Sequence, residues 1–216
     1  MEKEFWLERW TRNEIGFHQA DINPHLRRFW CEAAPASGRV FVPLCGKSRD
    51  LLWLRDQGHP VLGVELSALA AQAFFEENGQ LPARHSSPPF ESFEADGVEI
   101  LCGDFFNLEA TRLKDVTAVY DRAALVALPP GLRARYAAHL ADILPPGTRL
   151  LLVTFDYEQG EMNGPPFAVS PTEVNALFAP FGPIRKLASS DALAENPRFR
   201  ERGLTRIEEH VFLITF

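Results

Sequence analysis

Short apolar runs alternate along most of the chain with segments in which apolar residues recur every three or four positions, the signatures of buried strands and amphipathic helices. VFVPL (40–44) reads as a strand, and SRDLLWLRDQ after it as a helix with Ser48 as N-cap and Gly58 past its end. PVLGVEL (60–66) is a second strand, followed by Ser67 as a cap and a helix through ALAAQAFFEEN. There Ala70, Ala73 and Phe74 share a face and Gly79 ends the helix. GVEILCG (97–103) and TAVYDR (117–122) are strand-like, and GLRARYAAHLADIL places Leu132, Tyr136, Leu140 and Ile143 at helical spacing before Pro145-Pro146-Gly147. The unbroken apolar run in RLLLVTFDY (149–157) suits a central strand covered on both faces. Ser170-Pro171-Thr172-Glu173 is a capping box with proline at the first helical position, opening a helix through Val174, Leu177 and Phe178. IRKLASSDA and the alternating TRIEEHVFLITF close the chain as two strands with no helix between them.

Strands alternating with helices imply an α/β, doubly wound, mostly parallel sheet, and a closing pair without a crossover helix must be antiparallel. HSSPPFESF (85–93) is the most loop-like interior stretch, and no internal repeat marks a second unit. Residues 1–216 are therefore expected to form a single domain, which the length of 216 residues allows. The segment before the first strand, residues 1–36, is unusually aromatic and must pack over something.

Charge and cysteine usage narrow the class. With 22 basic and 29 acidic side chains the net charge is −7, which gives nucleic acid no broad attraction; RFRERGLTR (198–206) is the one arginine-dense stretch. Cys31, Cys45 and Cys102 are an odd count without a C-x-x-C pair, so neither a disulfide framework nor a metal site is expected. His18, His25 and His85 have no ligand spacing and read as surface or packing residues. No apolar stretch approaches the roughly 20 residues of a membrane span, and MEKEFWLERW lacks the order of a secretory signal. A cytoplasmic protein with no membrane partner is expected, and a monomer, since no heptad pattern is left over.

The loop after the first strand carries Gly46-Lys47-Ser48, which invites a phosphate-loop reading. That motif needs a second glycine five positions earlier, where the chain has Phe41. The G-x-G-x-x-G of a dinucleotide site is missing too, because Gly46 is the only glycine between Arg39 and Gln57; an NAD(P)-dependent oxidoreductase is thereby disfavoured. Ligands of open α/β sheets still sit beside the first βα turn, and Glu65 ends the second strand where carboxylates grip the two hydroxyls of a ribose. A ribose without a diphosphate cradle points to S-adenosylmethionine. Glu65 reads equally as an acid complementing the dipole of the helix that Ser67 caps.

Trp6-Leu7-Glu8-Arg9-Trp10, Gly16-Phe17-His18-Gln19, VPLCGKSRDLLWL, GHPVLGVELS and YDRAALVALPP together resemble the thiopurine S-methyltransferase family, class I S-adenosylmethionine-dependent enzymes. The resemblance runs from Trp6 to nearly the C-terminus and implies a Rossmann-like, seven-stranded sheet with its last strand antiparallel. It implies that Trp10, Leu44, Glu65 and Arg122 contact the cofactor, Glu65 through the ribose, and that Asp104 and Phe105 frame the adenine. It also implies that the N-terminal extension closes over the site, bringing Phe17 to the methyl acceptor.

Each assignment has a plainer rival. Phe105-Phe106 is ordinary core on composition, and Trp6 and Trp10 at i, i+4 spacing are a packed helix face. Arg122, at a strand end, has Asp121 as its adjacent structural partner, or points into the site with Asp121 orienting it. Arg198 matches the family's second acceptor-side arginine, with Arg200 and Arg202 close enough to contest the register. The activity implied is S-methylation of thiopurines and other aromatic or heterocyclic thiols, a detoxifying chemistry. Methylation of selenium, tellurium or small sulfur species is the alternative, and a non-catalytic cofactor-binding module a third reading. No metal is implied, since displacement at a sulfonium methyl needs mainly alignment, with cationic Arg122 and Arg198 favouring an anionic acceptor.

Overall fold

A computed structural model of the chain describes residues 3–34, 37–194 and 196–216. Two helices, α1 (Lys3–Thr11) and α2 (Pro24–Ala33), precede β1 (Arg39–Pro43), α3 (Asp50–Asp56), β2 (Val61–Glu65) and α4 (Ala68–Glu77). Then follow β3 (Ala83–Ser87), β4 (Phe90–Ala95), β5 (Val98–Cys102), β6 (Val116–Asp121), α5 (Ala124–Ala127), α6 (Pro130–Ile143) and β7 (Arg149–Asp156). The chain closes with α7 (Pro171–Phe178), β8 (Ile184–Asp191), α8 (Pro197–Glu201) and β9 (Glu208–Thr215).

One sheet of nine strands, ordered β3-β4-β5-β2-β1-β6-β7-β9-β8, forms the middle layer. Its β5-to-β8 portion has the expected seven strands, and β9 is antiparallel to both β7 and β8. The two additional strands correct the reading of HSSPPFESF as a loop: β3 and β4 form an antiparallel hairpin on the edge strand β5, with Pro88-Pro89 in its turn. Phe90 and Phe93 are buried while β3 is mostly exposed, so the hairpin is held through β4. A second correction is α8, a five-residue helix between β8 and β9, too short for periodicity to reveal. Ser48 does not cap α3 directly; its hydroxyl accepts from Asp50 N at 3.3 Å, one turn-residue ahead of the helix.

The sheet is covered on both faces, as the apolar run of β7 requires; five consecutive β7 residues, Leu150 to Thr154, are buried. One face packs Leu26 and Trp30 of α2, Leu51 and Leu54 of α3 and Phe74 and Phe75 of α4. The other packs Leu125 of α5, Tyr136 and Leu140 of α6 and Val174 and Phe178 of α7.

The capping box of α7 forms by half. Ser170 Oγ accepts from Glu173 N at 3.2 Å, but the Glu173 carboxylate turns to Arg133 Nη1 at 2.6 and 2.8 Å instead of back to its own helix end. Arg133, on α6, is 1% exposed, and its Nε donates to Leu128 O at 2.9 Å. Removing one partner of such a pair strands a buried charge. Glu173→Ala is therefore expected to cost about 3 kcal/mol of folding free energy, read from urea midpoints. A loss no larger than that of an exposed substitution would show that water already solvates Arg133.

Candidate functional site

A cavity of about 1190 Å³ opens beyond the carboxyl ends of the parallel strands and is lined by Trp10, Phe17, Leu44, Glu65, Phe105, Arg122 and Arg198, among others. All seven residues singled out from the sequence thus meet in one space.

The first βα loop sets one end. Leu44 and Gly46 have φ of 47° and 54°, in the left-handed region, which folds the loop tightly under the cavity floor. A Cβ on Gly46 would stand 3.3 Å from Trp10 Cζ2, so glycine provides both the turn and the space for the indole. The loop is tied to β2 through Glu65, whose Oε2 accepts from Gly46 N and Oε1 from Ser67 N, each at 2.8 Å. Glu65 accepts from the N–H just ahead of α4, as its helix-end reading expects, and it also lines the cavity. Burial pushes its pKa up, opposed first by the hydrogen bonds from Ser67 N and Gly46 N. A carboxylate offers about four acceptor positions, so two backbone bonds leave room for two further hydroxyl donors.

Phe105 also serves twice. Its ring packs on Tyr136 and His139, each 5.0 Å between centroids, while it lines the cavity from a 3-10 turn, Phe105–Asn107. Asp104 opens that turn by accepting from Phe106 N at 3.0 Å and pairs with Lys3 at 2.8 Å, which ties α1 to the end of β5. No residue of α1 is buried, so the tryptophans do not form a core-facing stripe. Instead the Phe17 ring meets Trp6 and Trp10 edge-on, at 5.7 and 5.6 Å.

Arg122 does not pair with Asp121. The two adjacent side chains leave the end of β6 in opposite directions. Asp121 accepts from Ala124 N at 2.9 Å, Leu125 N at 3.2 Å and Tyr136 OH at 2.7 Å, and burial pushes its pKa up to about 6. Arg122 lies instead 4.0 Å from the buried Asp50 of α3. Asp50 also accepts from Tyr120 OH at 3.1 Å and, through its other oxygen, from Asn23 N at 2.9 Å. Asn23 caps α2, so one carboxylate fixes Arg122 and the N-terminal extension together.

At the far end, Arg198 and Arg202 line the cavity one helical turn apart, while Arg200 does not. Phe199 between them packs on Phe155 at 5.6 Å. Three histidine assignments divide. His85 is exposed on β3, but His18 lines the cavity, its pKa lowered by burial and then by Lys47, and His25 bonds Glu209 at 2.9 Å. Sequence reasoning missed Glu209 and His18 in the cavity wall, and also Asp50 and Tyr120, which do not line the cavity but are buried beside Arg122. The only sequence signal for Asp50 was an acid in the first turn of a helix, which reads as a dipole complement. No cluster of three or more potential metal ligands occurs among the described residues.

The family model for thiopurine S-methyltransferase matches residues 1–216. A thiopurine S-methyltransferase of Nitrosospira multiformis is 59% identical over 215 residues, covering 99% of this chain and 98% of its own. One of Azotobacter vinelandii is 51% identical over 213 residues, with 98% of each chain covered. Among solved structures, a Burkholderia thailandensis 1,6-didemethyltoxoflavin-N1-methyltransferase bound to S-adenosylhomocysteine aligns with a TM-score of 0.65 at 16% identity, covering 99% of this chain and 87% of that one. An S-adenosylmethionine-dependent methyltransferase of Anabaena variabilis aligns at 0.66 and 14%, covering 99% and 94%. The structural likeness carries the class I methyltransferase fold, and the near-complete match in sequence carries the narrower assignment: the chain belongs to the thiopurine S-methyltransferase family.

Proposed function

We propose that this protein methylates the sulfur of aromatic and heterocyclic thiols, thiopurines among them, with S-adenosylmethionine as donor. The observation that carries the reading is the single cavity joining Glu65, at the end of β2, to Arg122 and Arg198, with aromatic rings between them. Its volume, about 1190 Å³, exceeds that of an ordinary small-ligand pocket and suits two bound molecules.

The residues fit the donor. Glu65 has two free acceptor positions for ribose hydroxyls, Gly46 leaves the backbone open to close approach, and Phe105 offers an apolar ring to a base. Trp10, Leu44 and Arg122 complete the contacts on the side of the methionine. When bound, S-adenosylmethionine supplies a methyl carbon activated by its sulfonium. The chain's own task is to align a sulfur with that carbon and to keep it anionic. Arg122, held by Asp50, and Arg198 favour the anion by their charge, while Phe17, Phe155 and Phe199 fit a flat ring and exclude water.

Residues 3–34 contribute Trp6, Trp10, Phe17 and His18 to the wall, which supports a single domain whose extension closes over the site. No described helix is long and apolar enough to cross a membrane. Three free cysteines support a reducing, cytoplasmic setting, and we take the protein to act there as a monomer.

Calorimetry with S-adenosylmethionine and NADH, followed by methylation assays over aromatic thiols and chalcogen oxyanions, tests the proposal. Binding of the first ligand alone, with the highest kcat/KM for an aromatic thiol, is the expected result. Preferential turnover of selenite or tellurite would reassign the acceptor, and binding of NADH alone would overturn the class.

A further inference from the structure

Besides Glu65 and the Lys3-paired Asp104, four acids line the cavity: Glu4, Glu14 and Asp21 are exposed to solvent, and Glu209 is the one largely buried. Glu209, on β9, sits opposite Phe155 in the β7–β9 ladder and lines the wall together with Phe155, Phe199, Arg198 and Arg122. Its side chain is 12% exposed, and its Oε2 is 2.9 Å from His25 Nε2, also 12% exposed. Oε1 has no hydrogen-bond partner among the described residues. His25 stands in the first turn of α2 and stacks on Phe29 at 6.2 Å, which fixes the imidazole behind the carboxylate.

A permanent negative charge on this wall would repel the anionic sulfur that Arg122 and Arg198 favour. The conflict disappears if the carboxylate becomes neutral as the sulfur becomes charged. We propose that Glu209 is the proton acceptor for the thiol, and that His25 is the positioning residue that donates to Oε2 and leaves Oε1 free. The thiol S–H bond breaks and its proton passes to Oε1, giving a neutral carboxylic acid. The sulfur, holding the electron pair, then forms its bond to the methyl carbon as the bond from that carbon to the sulfonium breaks, releasing a neutral thioether. The proton leaves to water when the product departs.

Other titratable groups are poorer candidates, and Tyr120 and Asp50 are buried and do not line the cavity. Tyr120 donates to Asp50, and burial and then Asp50 push its pKa well above the usual phenol value. Asp50 is occupied by Tyr120, Asn23 and Arg122. His18 lines the cavity as well, where the charges of Lys47, Glu77, Arg122 and Arg49 act on it, and His18→Gln is the comparison variant.

This inference rests on the thiol-methylating function, and its test separates the two. The full chain is assayed with two thiols of similar shape, one of ordinary pKa, about 8.5, and one nitro-substituted aromatic thiol already ionised at neutral pH. Glu209→Gln is expected to lower kcat/KM for the first by about 10²-fold and to leave the second within about threefold. In that variant the rate with the ordinary thiol rises about tenfold per pH unit until the thiol itself ionises, whereas the unaltered protein is flatter. His25→Leu follows the same selectivity, and His25→Gln, which keeps a donor, restores much of the rate. Equal losses for both thiols, or a selective loss in His18→Gln instead, would assign Glu209 a structural role and overturn the proposal. A wild-type chain that binds S-adenosylmethionine but methylates neither thiol would overturn the function itself.

Discussion

Glu65→Ala is expected to bind S-adenosylhomocysteine about 10³-fold more weakly than the unaltered protein, because a ribose diol bound to a buried carboxylate makes two charge-assisted hydrogen bonds of about 2 kcal/mol each. The carboxylate is prepared for this by Gly46 N and Ser67 N, which hold both oxygens in place at 2.8 Å. The same two N–H groups lose their acceptor in the variant, so some stability is lost with the affinity. A ligand pair removes that ambiguity. The protein as it stands should discriminate S-adenosylhomocysteine from its 2′,3′-dideoxy analogue by about 10³-fold, and Glu65→Ala should bind the two alike. Undiminished discrimination in the variant would place the diol elsewhere. The pH dependence has a definite sign. Ribose hydroxyls donate to the ionised form, so affinity is full above the pKa of Glu65 and falls as the pH drops through it. Burial raises that pKa above the usual 4.5, and the loss begins at a less acid pH than an exposed glutamate would give. Titration calorimetry across the acid range reads this directly.

The reason Glu65 was legible in the sequence is that its position is local: it ends a strand, follows a tight loop and precedes a cap, all within one βαβ unit. The alternation of strands and helices was legible for the same reason, and the fully buried middle of β7 follows from its unbroken apolar run. What escaped lies either below the length at which periodicity speaks or in contacts between distant segments. Five residues of α8 carry no helical period, and Pro88-Pro89 marks a hairpin turn as readily as a loop. Asp50 and Tyr120 are 70 positions apart, and His25 and Glu209 are 184 apart. Only packing α2 and α3 on one face of the sheet brings them together. Asp121, considered as the partner or the orienter of Arg122, shows the limit of adjacency: it is next in the chain, but a strand sends neighbouring side chains to opposite faces. Asp121 went to the core and to Tyr136, and Arg122 went to the cavity.

That separation makes Arg122→Ala the sharpest test of the chemistry. Removing its guanidinium takes away preorganised positive charge next to the sulfur, an effect on the order of 10²–10³ in turnover when such a donor is deleted from an enclosed site. Affinity for S-adenosylmethionine is expected to change by less than about tenfold, because Glu65, Leu44 and Phe105 remain. The fold should survive, since Asp50 keeps its bonds from Asn23 N at 2.9 Å and Tyr120 OH at 3.1 Å. Arg122→Lys restores a point charge but not the planar fork, so it should recover part of the rate if charge dominates and little if the guanidinium also orients the acceptor. Steady-state kinetics at saturating donor, with calorimetry on the same preparations, separate kcat from binding. Turnover equal to that of the unaltered protein would remove Arg122 from the reaction and leave it as the counter-ion of Asp50. A loss confined to donor affinity would move its role from the attacking sulfur to the methionine end, and the anion-favouring charge would then have to come from Arg198 and Arg202, the remaining cavity-lining arginines of α8 and its C-cap.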